Sequence, residues 1–276
     1  MNKKYKVALC YDFDGTLSPG NMQEYDFMKK IGMTPEQFWK KSQQIVENNC
    51  ADTVLSYMRL MLEESIKQQV YFTKGDFRAC GKNIPLYEGV NSWFGRINKY
   101  AAKKGLTIEH YIISSGLREM ILGNSISKHF KKIYASSFMY NKKGHAIWPA
   151  VALNYTTKTQ FLFRINKGCL DINDLDVNAF IPDEKRYIPF SRMIYIGDGL
   201  TDVPCMSLVK KNDGFSISIY NPKNPNAKLI SDQLTNEGRT DFSAPADYSS
   251  GSRVEELVQT IIDKIATDLK IKNLKN

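Results

Sequence analysis

The sequence predicts an α/β protein, a parallel sheet covered by helices, on three observations. Short apolar runs rich in β-forming residues alternate with longer segments of helical periodicity, several of those runs end in a polar or glycine-containing turn, and one long helical stretch interrupts the alternation. A chain of 276 residues with 42% hydrophobic content is long enough for a large core with a smaller appendage.

The first strand is expected over Lys6 to Tyr11. It is followed by a polar, helical stretch from about Ser18 to Pro85 without β-like runs, read as an inserted helical module. Within it, Thr34, Pro35 and Gln37 form an N-cap, first helical residue and capping-box partner, and ADTVLSYMRLMLEESIKQQ has helical apolar spacing. A helix near Tyr87 to Lys104 stops at Gly105, and further strands are expected at Ile108 to Ile113, Lys132 to Ser136, Met193 to Ile196 and Phe215 to Ile219. Tyr134 to Pro149 suggests a hairpin turning at NKKGH, and Leu170 to Ser191 is a polar insertion. The final helix, Ser252 to Lys270, has Ser252 as cap, Glu255 three residues on, and a stripe of Val254, Leu257, Ile261 and Ile265.

A net charge of +9 suits a substrate carrying phosphate and would permit an anionic partner, but the basic residues are spread along the chain, with modest clusters at MNKKYK and KIKNLKN. With no zinc-finger spacing, RNA-binding aromatic signature or arginine-rich tract, nucleic acid is not expected as a partner. No run approaches the roughly 20 apolar residues of a membrane span, and the N-terminal run meets Asp12 too soon for a signal peptide. The 5 cysteines, an odd count without CxxC, read as reduced thiols in a cytoplasm, and His110, His129 and His145 have no ligand spacing.

The chemistry is expected where strands end. CYDFDGTLS ends a buried strand with Asp12 and Asp14, which period-two geometry aims at the same volume. A hard divalent cation, Mg²⁺ above all, would offset their repulsion. HYIISSG ends a strand at Ser114, Ser115 and Gly116, whose hydroxyls and backbone N–H groups suit a phosphate. Lys158 opens a helical segment, and MIYIGDGLTDVPCM ends a strand with Asp198 and Asp202 in a tight turn suited to a metal.

Together these four stretches resemble the haloacid dehalogenase superfamily of phosphohydrolases, with DFDGT as first motif, Ser114 as second, Lys158 as third and GDGLTD as fourth. The resemblance implies a Rossmann-like sheet with helices on both faces over residues 1–17 and 86–276, and an all-helical cap over residues 18–85. It implies a Mg²⁺-dependent cytoplasmic phosphatase acting on a small phosphorylated metabolite. Asp12 would be the nucleophile and Asp14 the proton donor and acceptor. The metal would be held by Asp12, the Asp14 backbone carbonyl and Asp198, with Asp202 in its outer shell, and the phosphate by Ser114, Ser115 and Lys158. Asp14 separates this reading from the metal-free dehalogenase branch, whereas a phosphomutase, or a non-catalytic regulator that binds a phosphorylated ligand, would carry the same motifs.

Lys167 competes with Lys158 because a polar insertion separates both from Asp198. Asn21 stands near the position where the phosphoserine phosphatase-like branch has a substrate-reading Glu, and Thr201 where it often has Asn, which argues against phosphoserine as substrate. On the second cap helix, Tyr57 and Arg59 are the expected specificity contacts.

Overall fold

Both faces of the first strand are apolar, and the structure buries both. In the computed structural model, which describes residues 5–274, β1 (Tyr5–Tyr11) sends Val7, Leu9 and Tyr11 into one buried cluster and Ala8 and Cys10 into another. A strand covered on both sides reads as a continuous apolar run, VALCY, rather than as an alternation. Parts of the two terminal basic runs, residues 1–4 and 275–276, lie outside the described residues.

Among the described residues β1 is central in a sheet of 7 strands. On one side β2 (Leu106–Leu117) and β3 (Phe130–Tyr140) are parallel to it, and β4 (Ala146–Val151) closes that edge antiparallel to β3. On the other side β5 (Met193–Gly197), β6 (Phe215–Tyr220) and β7 (Phe242–Pro245) continue in parallel. The chain builds outward through β2 to β4, then returns to the free edge of β1 with β5. Strand order therefore reverses at β1, and such a reversal opens a crevice beyond the carboxyl ends of the strands on either side of it. The expected strands are present, and the NKKGH turn joins β3 to β4 as a hairpin. Sequence reading missed β7, whose FSAP is short and has only Ala244 fully buried.

Between β1 and β2 the chain forms α1 (Asp26–Lys30), α2 (Pro35–Asn49), α3 (Thr53–Lys67), α4 (Lys74–Gly81) and α5 (Val90–Lys103). The Thr34 capping box starts α2 as the sequence indicates, and Asp52 caps α3 by accepting from the Val54 and Leu55 N–H groups. This insertion shares its core with the sheet: Phe77 of α4 stacks on Phe138 of β3 at 5.6 Å between ring centroids, and the Ala146 N–H donates to the Phe72 carbonyl at 2.9 Å. α6 (Arg118–Gly123) crosses α4 so closely that a Cβ on Gly81 would lie 1.8 Å from the Met120 carbonyl oxygen, and one on Gly123 would lie 1.9 Å from that of Arg78. Only glycine allows that approach.

α7 (Thr159–Lys167) and α8 (Val203–Lys211) cover the sheet face that holds Ala8 and Cys10. α9 (Pro225–Asn236) packs on β6 and β7, and α10 (Arg253–Leu274) lays Val254, Leu257, Ile261 and Ile265 on the face that holds α5. Among the described residues no helix is long and apolar enough to cross a membrane.

Beneath the sheet, a polar relay ties β1 to α5. The Trp93 indole donates to the Tyr11 hydroxyl at 2.9 Å, Tyr11 meets His110 Nδ1 at 3.0 Å, and His110 Nε2 meets Asn98 Oδ1 at 3.0 Å. Burial lowers the pKa of His110 from 6.5 to about 3. The unfolded chain takes up this proton below about pH 6.5, and the folded chain refuses it until near pH 3, so stability falls as pH falls through that window. The slope approaches one proton, about 1.4 kcal/mol per pH unit. Denaturant unfolding between pH 7 and pH 4 should show this slope reduced in His110→Gln; an unchanged slope would assign the acid sensitivity elsewhere.

Candidate active site

Strand ends bring the acids together. The Asp12 N–H donates to the Ile196 carbonyl at 3.0 Å, which keeps the residue after β1 in step with β5. Its carboxylate accepts from the Phe13 N–H at 2.7 Å. The Phe13 carbonyl then accepts from the N–H groups of Leu17 at 2.8 Å and Ser18 at 3.0 Å, closing a tight loop through Gly15 at φ +76°. Beyond β5, Asp198 is half-buried, and the turn Leu200–Asp202 carries Asp202 into α8 with its carboxylate fully buried. Oxygens of Asp12, Asp198 and Asp202 lie within 4.8 Å of one another.

Lys158 ends the turn Tyr155–Lys158 and leads into α7. Its side chain is 0% exposed, with Nζ 2.8 Å from Asp202 Oδ1 and 3.2 Å from Asp12 Oδ2. The Tyr195 hydroxyl donates to the same Asp202 oxygen at 2.7 Å. One ammonium thus bridges the residue after β1 and the residue before α8. The competing Lys167 turns away and donates to the carbonyls of Val177 at 2.6 Å and Ala179 at 2.7 Å, fastening the polar insertion.

The two acids of DFDGT share one cavity but not one set of partners. Asp14 accepts from the Met22 N–H at 3.0 Å, and its carboxylate is outside the Asp12, Asp198 and Asp202 group. Asp202, expected in the outer shell, has a carboxylate oxygen in that group, while its Oδ1 accepts from Lys158 and Tyr195. Burial raises Asp12 to a pKa of about 6, with Lys158 opposing the rise and Asp202 adding to it. Burial, then the charge of Asp12, holds Asp14 well above the usual carboxylate range. Asp198 is likewise raised, by burial and by repulsion from Asp202 and Asp12. Burial works against the charge on Lys158, yet Asp12 and Asp202 hold its pKa above the ordinary lysine value.

Three carboxylates around one ammonium leave an excess of negative charge made of hard oxygen donors, which fits a divalent cation of the Mg²⁺ type. Gly15 supports that fit, because a Cβ there would lie 2.1 Å from Asp198 Oδ2 and its backbone is left-handed. Gly15→Ala should therefore displace the Asp198 carboxylate and weaken Mg²⁺ binding about tenfold or more, on the scale of a disturbed ligand shell. Calorimetric Mg²⁺ titration checks this, and wild-type affinity in the variant would remove Asp198 from the site.

Ser114 and Ser115 lie within β2, which runs on to Leu117 past the turn expected there. A register shift between Ser114 and Leu117 frees this stretch from β3. Ser114 Oγ accepts from the Gly116 N–H at 3.0 Å, and the Ser115 carbonyl accepts from Tyr57 at 2.6 Å and Ser136 at 3.0 Å. Both serines line a cavity of about 380 Å³ with Asp12, Asp14 and Asp198.

Of the two cap residues singled out in the sequence, Tyr57 lines this cavity and Arg59 does not. Arg59 is exposed and pairs with Glu63 at 2.7 Å. The correction is geometric: residues two apart on an α-helix are about 200° apart around its axis and cannot share a face. Sequence reading missed Gln23, Trp39 and Asn154 in the cavity wall, and the Thr16 hydroxyl, which donates to Asp198 at 3.1 Å. Thr16 was visible as the last residue of the DFDGT motif. Asn154 gave no such signal, and it bonds Asp52 at 3.0 Å and Thr53 at 2.9 Å, joining the loop before Lys158 to the start of α3.

The chain is similar to known proteins. The chain is 29% identical over 293 residues to an uncharacterized protein of Borreliella burgdorferi, covering 96% of this chain and 99% of that one. It is 22% identical over 271 residues to a phosphoethanolamine/phosphocholine phosphatase of Gallus gallus, covering 94% and 90%. A structure of phosphoserine phosphatase with a phospho-aspartyl intermediate analogue has the same fold, with TM-score 0.54, 15% identity and coverage of 93% of this chain and 99% of that one. Residues 9–207, which hold all four motif stretches, match the haloacid dehalogenase-like hydrolase profile, and the chain belongs to that family.

Proposed function

We propose that the protein is a Mg²⁺-dependent phosphatase that hydrolyses a small phosphomonoester through an aspartyl-phosphate on Asp12. The observation that carries this reading is the buried Lys158 ammonium between Asp202 and Asp12, the latter of which lines the cavity. It holds the Asp12 carboxylate in a defined orientation and places positive charge where a phosphoryl group would meet it. The Gallus gallus relative, named for small phosphomonoesters, supports the same reaction class.

In this reading an Asp12 oxygen attacks phosphorus and the ester P–O bond breaks, while the Asp14 carboxyl gives its proton to the leaving alcohol oxygen. Asp14 then takes a proton from water as that water's oxygen attacks phosphorus, the bond to Asp12 breaks, and inorganic phosphate leaves. Ser114, Ser115 and Lys158 bind the phosphoryl oxygens. Asp12, Asp198 and the Asp14 backbone carbonyl would hold Mg²⁺, which offsets the negative charge gathered by the phosphoryl group and the acids. We take residues 18–85 as the cap that walls the cavity and residues 1–17 and 86–276 as the catalytic core. A reducing cytoplasm suits cysteines of which Cys10, Cys80, Cys169 and Cys205 are buried and free.

The test is release of phosphate from p-nitrophenyl phosphate. Turnover should require Mg²⁺, stop with EDTA and return when Mg²⁺ is restored, with phosphate and alcohol appearing in equal amounts. Full activity in EDTA would remove the metal from the mechanism, and alcohol release without phosphate would indicate phosphoryl transfer to another acceptor, as in a mutase.

A further inference from the structure

The cavity wall beyond the acids is uncharged. Among the described residues lining it there is no lysine, arginine or histidine, in a chain with 38 Lys+Arg. Its carboxylates are those of Asp12, Asp14 and Asp198 at the phosphorus end. Lys158 lies beneath the floor and is already engaged by Asp12 and Asp202, and Arg59 is turned outward onto Glu63. Glu24, next to the wall, is engaged by the Trp39 indole at 2.6 Å and the Asn21 amide at 2.6 Å.

Among the described residues, two wall oxygens are buried without a partner, Gln23 Oε1 and Ser115 Oγ. Gln23 is 2% exposed, so its carbonyl oxygen is nearly cut off from bulk water and needs a donor from whatever fills the cavity. Close by, the Trp39 and Tyr57 rings meet edge-on at 6.1 Å between centroids and give the wall an apolar flank.

We infer that the substrate is the phosphomonoester of an alcohol that carries no second anionic group and presents a hydrogen-bond donor, a hydroxyl or an ammonium, to Gln23. The inference rests on the phosphatase reading above and adds the substrate class. A carboxylate or second phosphate on the leaving group would lose its water here and gain no cation. A hydroxyl or ammonium would satisfy the Gln23 oxygen, and a group without a donor would leave it unsatisfied.

Matched esters test this through kcat/KM from phosphate release, with p-nitrophenyl phosphate run in parallel. Phosphoethanolamine and phosphoserine differ by one carboxylate, as glycerol 3-phosphate and 3-phosphoglycerate do in effect, and the carboxylate member of each pair should be about a hundredfold poorer. Phosphocholine, in which methyl groups replace the ammonium protons, should be about tenfold or more below phosphoethanolamine. Gln23→Leu should collapse that last ratio toward one, and Gln43→Arg, on the exposed rim, should raise phosphoserine relative to phosphoethanolamine about tenfold. The preferred ester, whether phosphoethanolamine or glycerol 3-phosphate, identifies the donor.

Turnover of p-nitrophenyl phosphate with the carboxylate member of either pair equal to or better than its partner, or with all four esters inert, would overturn the inference and leave the phosphatase reading standing. An unchanged donor ratio in Gln23→Leu would remove Gln23 from recognition. If no ester is hydrolysed the phosphatase reading fails, and calorimetric binding of the same esters to the Asp12→Asn protein still ranks them and decides the inference.

Discussion

The Asp12→Asn protein should turn over p-nitrophenyl phosphate at least about a thousandfold more slowly than wild type, the scale seen when a covalent nucleophile is removed. It should nevertheless melt at the same temperature or a few degrees higher. The Asp12 carboxylate is buried, raised in pKa by that burial, and repelled by Asp202. An amide of the same shape relieves the repulsion, while Lys158 keeps Asp202 at 2.8 Å. Function and stability thus pull in opposite directions at this residue. Steady-state rates and a melting curve on the same preparation check both halves. Residual activity above about a tenth of wild type would dismiss Asp12 as nucleophile, and a collapse of the melting temperature would show that its charge is needed for folding.

Lys158→Met should be the most damaging single change to stability in the site. The ammonium is fully buried between two carboxylates, and removing one partner of a buried ion pair costs about 3–5 kcal/mol because the remaining charge is stranded. With Lys158 gone, the folded-state pKa of Asp12, already raised by burial, should rise further above its unfolded value. The deficit is then full where Asp12 is ionised in the folded variant and shrinks as pH falls and the folded state takes up a proton there. Denaturant midpoints at pH 7.5 and pH 5.5 should therefore differ less between variant and wild type at the lower pH. Activity should fall about a hundredfold or more at either pH. A variant as stable as wild type at pH 7.5 would show that the ion pairs are not needed to hold the acids together.

The acidic floor of the cavity was legible in the sequence because its geometry follows from strand ends. VALCY, HYII and MIYI are apolar enough to be central parallel strands, so the polar residues that follow each are delivered to one edge of the sheet. The wall was far less legible. Tyr57 and Arg59 looked equivalent in a polar helix until the helix had an orientation, and then only Tyr57 faced inward. Gln23 and Trp39 come from separate segments of the insertion, and only tertiary packing brings them to the serines of β2. The choice between Lys158 and Lys167 turned on burial: one lysine goes under the floor, and the other caps a loop through backbone carbonyls. β7 escaped notice because four residues at a sheet edge need little apolar character to pair with β6.

Chemical trapping is the most direct test of the convergence of Asp12, Asp14, Ser114, Lys158 and Asp198 on one phosphorus atom. Wild-type enzyme should be quenched during turnover with Mg²⁺ and a phosphomonoester, reduced with borohydride, digested and sequenced by mass spectrometry. An acyl phosphate on Asp12 would be converted to homoserine at that position, with Asp14 unchanged, and the product should be lost when Mg²⁺ is omitted. Homoserine at Asp14 or at another acid, or its absence under conditions where the alcohol is released in a burst ahead of phosphate, would contradict the assignment of Asp12 as the group that carries the phosphoryl.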